Sequence, residues 1–133
     1  MSAHIASALL AAAVLSSPPA LGGEITIEAD GLQPPVLFVE SEREVNFVNR
    51  SGRLVHVEFQ HRGLDQHQHH LVQVVDRIWA VFHQAGAHRY AVHFLDPRMK
   101  DLEGAVVVGE NRYGGPDPSE CGGVTVMGAC LER

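Results

Sequence analysis

The chain has 133 residues, 45% of them hydrophobic, and a formal net charge of −6. That length holds one domain with a real core and is too short for two, and the apolar content is that of a folded chain. The acidic balance, the lack of a Lys/Arg stripe and an aromatic content of only 6% exclude nucleic acid as a natural partner. Histidine is the unusual residue, with nine in the chain and eight of them between His56 and His93.

The first 22 residues differ in kind from the rest. IASALLAAAVL is an apolar run of 11, shorter than the roughly 20 residues a permanent membrane helix needs. Ser16-Ser17-Pro18-Pro19 follow, and small residues at Ala20 and Gly22 predict a signal peptide over 1–22 with cleavage after Gly22. The leading Met1–His4 carries no Lys or Arg, a departure from the usual signal. The expectation is an exported protein, periplasmic or secreted, with no membrane span in the mature chain.

Glu24–Glu28 then alternates as a first strand, and Ala29-Asp30-Gly31 turns the chain. Pro34-Pro35 fixes an extended lead into Val36–Val39. Ser41-Glu42-Arg43 is a turn. In Glu44–Gln60, Val45 and Phe47 alternate with polar neighbours, as do Val55, Val57 and Phe59 with His56, Glu58 and Gln60, the period of half-buried strands. Asn49-Arg50-Ser51-Gly52 between them supplies turn chemistry. Residues 61–70 form a polar, histidine-dense connection. Leu71–Val75 and Ile78–Phe82 are strands, His83–Gly86 a turn with His83 in solvent, and Arg89–Leu95 a strand with Tyr90, Val92 and Phe94 on one face. Asp96–Glu103 reads as a loop or single helical turn, and Gly104–Val108 as a last strand. The breaker-rich stretch after Gly109 predicts a loose C-terminal tail over 110–133. About seven to eight short strands with no amphipathic helix give an all-β, Greek-key sandwich or barrel over 23–109.

These residues resemble the cupredoxin family. The likeness lies in the order of PPVLFV, VNFVN, a histidine on the next strand, F-x-x-x-G-x-x-x-Y over Phe82–Tyr90, and MKDLEGAVVV. Within the family the chain is similar to cysteine-lacking domains of exported bacterial proteins, some tied to iron or copper handling. Blue-copper sites resemble two histidines and a thiolate with a distant methionine. Alignment on Gly86 and Tyr90 puts Val92 at the cysteine position, so the resemblance does not extend to a type 1 centre. It implies His56 as the first histidine, Met99 as the methionine, and His93, one place past the cysteine position, as a looser match.

Strand parity turns His56 and His93 away from the core unless a bulge or bend intervenes. Both pointing outward, they could share a surface site. Met99 is a soft thioether suited to copper(I) or to loop packing. His88 lies on the Tyr90 face, as a ligand or as a histidine bonded to backbone. His61, His67, His69 and His70 could capture metal loosely or remain a solvated loop. Glu58 could add an oxygen ligand beside His56 or pair with an arginine. Copper is the first expectation, with iron or zinc as alternatives. Two cysteines in an exported chain predict a Cys121–Cys130 disulfide, with a redox or copper-binding thiol pair as the alternative.

No nucleophile–base signature, phosphate-binding loop or zinc helix is present. The expectation is a non-enzyme: a metal-binding protein that captures or hands over copper or iron to a periplasmic or membrane metal-transport or redox partner. A metal-free interaction module and an electron carrier with an atypical copper site stand as alternatives.

Overall fold

The computed structural model describes residues 23–60, 70–110, 121 and 123–131. The expected leader and the connection holding His61, His67 and His69 lie outside the described residues. Among those described there are eleven strands and no helix: β1 (Gly23–Glu28), β2 (Gly31–Gln33), β3 (Val36–Val39), β4 (Glu44–Asn49), β5 (Val55–Phe59), β6 (His70–Val74), β7 (Arg77–Phe82), β8 (Gly86–Phe94), β9 (Leu102–Val108), β10 (Val124–Val126) and β11 (Ala129–Cys130). No helix among them is long and apolar enough to cross a membrane.

The strands form two sheets, ordered β11-β10-β7-β4-β1-β2 and β3-β9-β8-β5-β6. β1 runs parallel to β4 and β3 parallel to β9, and the other pairs are antiparallel. The expected two-layer all-β architecture is therefore present, with more strands than periodicity revealed.

Alternation places the core. Val45 and Phe47 of β4 face Val55, Val57 and Phe59 of β5, and all five are at most 1% exposed. Phe47 meets Phe59 at 5.7 Å and Tyr90 at 5.2 Å, both edge to face, the arrangement that ring quadrupoles favour. These contacts join the two sheets at their centre. Gly104, opposite Tyr90 in the β8–β9 register, leaves room for that ring. A Cβ there would sit well inside contact distance of the Tyr90 hydroxyl and ring.

The chain crosses from the first sheet to the second at Asn49–Leu54. Asn49 accepts from the Ser51 N–H at 3.0 Å and the Ser51 hydroxyl at 2.6 Å. Its amide nitrogen donates to the carbonyls of Arg53 at 2.7 Å and Val74 at 3.1 Å. Gly52 takes φ 76°, a left-handed conformation that glycine adopts without steric cost. One side chain thus ties the end of β4 to the end of β6.

The stretch expected to be a loose tail is a correction. Val124–Val126 pairs with Ala80–Phe82 of β7 and turns back into β11. Val124 and Val126 are 1% and 5% exposed and belong to the core. Cys121 and Cys130 are joined by a disulfide.

Candidate metal site on the second sheet

β5 pairs with β8 without a bulge, so the alternation that buries Val55, Val57 and Phe59 holds His56 and Glu58 on the opposite face. The same register sets His93 directly across from His56. Side chains opposite one another on antiparallel strands stand about 5 Å apart at Cβ. The bend that would carry either histidine to the core is absent. The two imidazoles share the outer face of the second sheet.

His93 is fully engaged there. Its Nε2 lies 2.7 Å from Glu58 Oε1 and its Nδ1 2.9 Å from Asp101 Oδ2. Glu58 therefore pairs with the histidine of the neighbouring strand. The Glu58 hydrogen bond, backed by Asp101, holds the His93 imidazole above its ordinary titration range, against a smaller opposing effect of burial. Asp101 is placed by the loop after β8. In that loop Asp96 accepts from the Arg98 N–H, Nε and Nη2 at 3.0, 3.1 and 3.0 Å. Those bonds hold the Asp96 carboxyl below its usual range.

Among the described candidates, Met99 and His88 do not converge on this face. Met99 packs against the core cluster, the loop-packing alternative of the two offered for it. His88 lies at the far end of β8, where Nε2 contacts the Gln84 carbonyl at 2.7 Å and the ring meets Phe82 at 5.1 Å. The backbone-bonded alternative describes it, and it is remote from His93. His70 opens β6 opposite Phe59 in register. Among the described residues, no group of three or more His, Cys, Asp or Glu is already arranged to hold an ion.

A copper ion between the sheets finds no fit. Val92, at the family's cysteine position, is 0% exposed within the core, as is Val55. Cys121 and Cys130 are bonded to each other beside β7, in the first sheet. No cysteine thiolate reaches the histidine pair. On the outer face the donor set is imidazole and carboxylate, which in kind suits Cu(II), Zn(II) and Fe(II).

Sequence reasoning missed His83, which was expected in solvent. Its side chain is 6% exposed. Nδ1 lies 2.9 and 2.8 Å from the two Glu42 oxygens, and Nε2 lies 2.7 Å from Thr125 Oγ1. The carboxylate accepts from Nδ1–H, and in the neutral ring Nε2 then accepts from the Thr125 hydroxyl. Hydroxyl, imidazole and carboxylate in that order match a hydrolytic triad by distance. Thr125, however, sits mid-strand between β7 and β11, where its backbone is committed to sheet pairing and cannot offer an oxyanion hole. The arrangement is a clamp. Glu42 and Thr125 lie 41 and 42 residues from His83, and no local pattern signals such a contact.

No family model matches the chain, and no curated protein matches it. Solved structures do. A purple cupredoxin from Nitrosopumilus maritimus is 18% identical, with 65% of this chain and 99% of that one covered at a TM-score of 0.48. An oxidised mutant of amicyanin is 20% identical, covering 71% and 88% at a TM-score of 0.53. A copper(I) form of another amicyanin mutant is 21% identical over the same shares at 0.50.

Proposed function

We propose that this chain, a cupredoxin-like domain by its fold, is an exported metal-binding protein. It takes copper, or in its place iron or zinc, on the outside of its second sheet and not between the sheets. One observation carries the reading: His56 and His93 stand directly opposite each other, both facing outward, with carboxylates beside the second imidazole.

His93 Nε2 faces Glu58 on the strand that also carries His56, while Asp101 holds Nδ1 from behind. A carboxylate behind the ring is the arrangement that fixes the tautomer and orientation of a ligating imidazole. A cation bound at Nε2 would have to displace the hydrogen bond between that nitrogen and Glu58. Ligation requires neutral imidazole, so uptake competes with that proton and strengthens with rising pH. The ion is cargo, and no catalytic step is assigned to the chain. Export is supported by the leader pattern of the first 22 residues and by a disulfide of the kind that persists in oxidising compartments. The partner class that fits is a metal-transport or redox protein of the periplasm or its membrane.

The test is titration of the apo-protein with copper(II) and ferrous iron, against a peptide of residues 61–70 and against the His56→Ala/His93→Ala double variant. Binding tighter than the peptide's, lost in the double variant, is expected. Binding no tighter than the peptide's, or unchanged in the double variant, refutes the reading.

A second reading, a metal-free interaction module, is favoured by the full engagement of both His93 nitrogens. Under it the double variant keeps its partner association and the wild type takes up no metal.

A further inference from the structure

Two non-glycine residues among those described adopt a left-handed backbone, Glu42 at φ 66° and Met127 at φ 49°. Both bear on one small feature, the β10–β11 hairpin. Met127 and Gly128, the latter at φ 87°, form its two-residue loop. Such a loop needs positive φ at both positions and favours Asn-Gly or Gly-Gly over methionine. Glu42 holds His83, which in turn binds Thr125 of β10. Strain of this kind persists only where the surroundings impose it.

The hairpin has strands of three and two residues, too short to stand alone. The disulfide cross-links the segment to itself, from Cys121 ahead of β10 to Cys130 in β11, and so holds these short strands in their paired shape, while the His83 N–H docks the segment by donating to the Gly123 carbonyl at 3.0 Å. The Met127 N–H donates to the Trp79 carbonyl at 3.0 Å, and the Trp79 N–H reaches Met127 Sδ at 3.4 Å. This hairpin covers the edge of β7, yet it takes no part in the Phe47–Phe59–Tyr90 contacts that join the sheets. The two sulfurs differ in access: Cys121 is 5% exposed, whereas Cys130 is half-buried.

We propose that the Cys121–Cys130 disulfide is a redox latch, whose reduction by a dithiol releases the β10–β11 hairpin from β7 while the rest of the sandwich stays folded. A thiolate of the dithiol attacks the Cys130 sulfur, the S–S bond breaks, and the Cys121 sulfur leaves as a thiolate and takes up a proton. The second thiol of the reductant then attacks the mixed disulfide, freeing Cys130 as a thiol and leaving the reductant as a cyclic disulfide. Two electrons and two protons pass to the protein. Release relaxes Met127, frees the His83 imidazole from Thr125 and uncovers the backbone of Ala80–Phe82.

Hydrogen exchange on the full chain, oxidised against dithiothreitol-reduced, tests this, with Trp79 fluorescence as a second readout and thiol labelling to count two free cysteines. Exchange in 79–83 and 123–131 is expected to rise at least about tenfold, with 45–48, 55–59 and 90–94 still protected. The Cys121→Ser/Cys130→Ser variant should match the reduced protein without any reductant. Hairpin protection unchanged after complete reduction overturns the proposal. So does simultaneous loss of protection in β5 and β8, which would make the disulfide a staple of the whole fold. A bond that resists millimolar dithiothreitol in the native protein also overturns it.

Discussion

Replacing Glu58 by Gln keeps the shape of the contact at His93 and removes its charge. Nε2 of His93 lies 2.7 Å from Glu58, whose side chain is 17% exposed, while that of His93 is 34% exposed. A hydrogen bond to a charged group is worth about 1.5–3 kcal/mol in favourable settings. With a third of the imidazole in water, screening brings the expected contribution below about 1 kcal/mol. The sign follows from linkage. The folded state holds the His93 proton more tightly than the unfolded chain does. The extra stability is therefore fully present below the unfolded value of about 6.5, as long as the carboxylates stay ionised, and is lost as pH rises through the higher folded value. Imidazole resonances followed by NMR should give a His93 midpoint above 6.5 in the wild type. It should fall toward 6.5 in Glu58→Gln, and fall less in Asp101→Asn, whose native carboxylate is 57% exposed. Thermal melts should separate wild type from Glu58→Gln at pH 5.5 and bring them together at pH 9. A wild-type midpoint at or below 6.5, or one that ignores Glu58→Gln, refutes the assignment.

Val92→Cys returns a sulfur to the family position, but into the core with both histidines on the other side of the sheet; copper(II) should produce no intense visible band, and such a band would overturn the outward placement. The Tyr90 hydroxyl is buried without a hydrogen-bond partner, so Tyr90→Phe should raise stability by about 1–3 kcal/mol in chemical denaturation. Gly104→Ala should cost about 1–3 kcal/mol or more through overpacking against Tyr90. Tyr90→Phe should not rescue it, since the ring itself is in the way. Copper affinity measured from pH 6 to pH 8.5 should climb steadily if Nε2 of His93 must lose its proton to bind; a flat profile counts against ligation there.

The long strands and their inward faces were legible because Val45/Phe47 and Val55/Val57/Phe59 repeat with period two over enough residues to outweigh chance. Parity also turned His56 and His93 outward, and the absence of a bulge in the β5–β8 register kept them so. What pairs with them was hidden, because Glu58 lies 35 residues from His93 and no one-dimensional pattern ties a carboxylate to a distant ring. The family template pulled Met99 toward a ligand role, whereas the loop after β8 packs its side chain against the core. The C-terminal hairpin left no periodic trace: three residues and then two are fewer than one full alternation can establish. Its marker was the presence of two cysteines in a chain expected to be exported, which foretold the bond but not the strands.

Asn49 has a mechanical consequence. By fastening β4 to the carbonyl end of β6, it anchors the rim of the sandwich where His56 and His93 sit. The latched hairpin occupies the other half, alongside Ala80–Phe82. The paired rings and the hairpin therefore lie toward opposite ends of the sandwich, so the ion site and the latch proposed above would each be able to fail without betraying itself in an assay of the other.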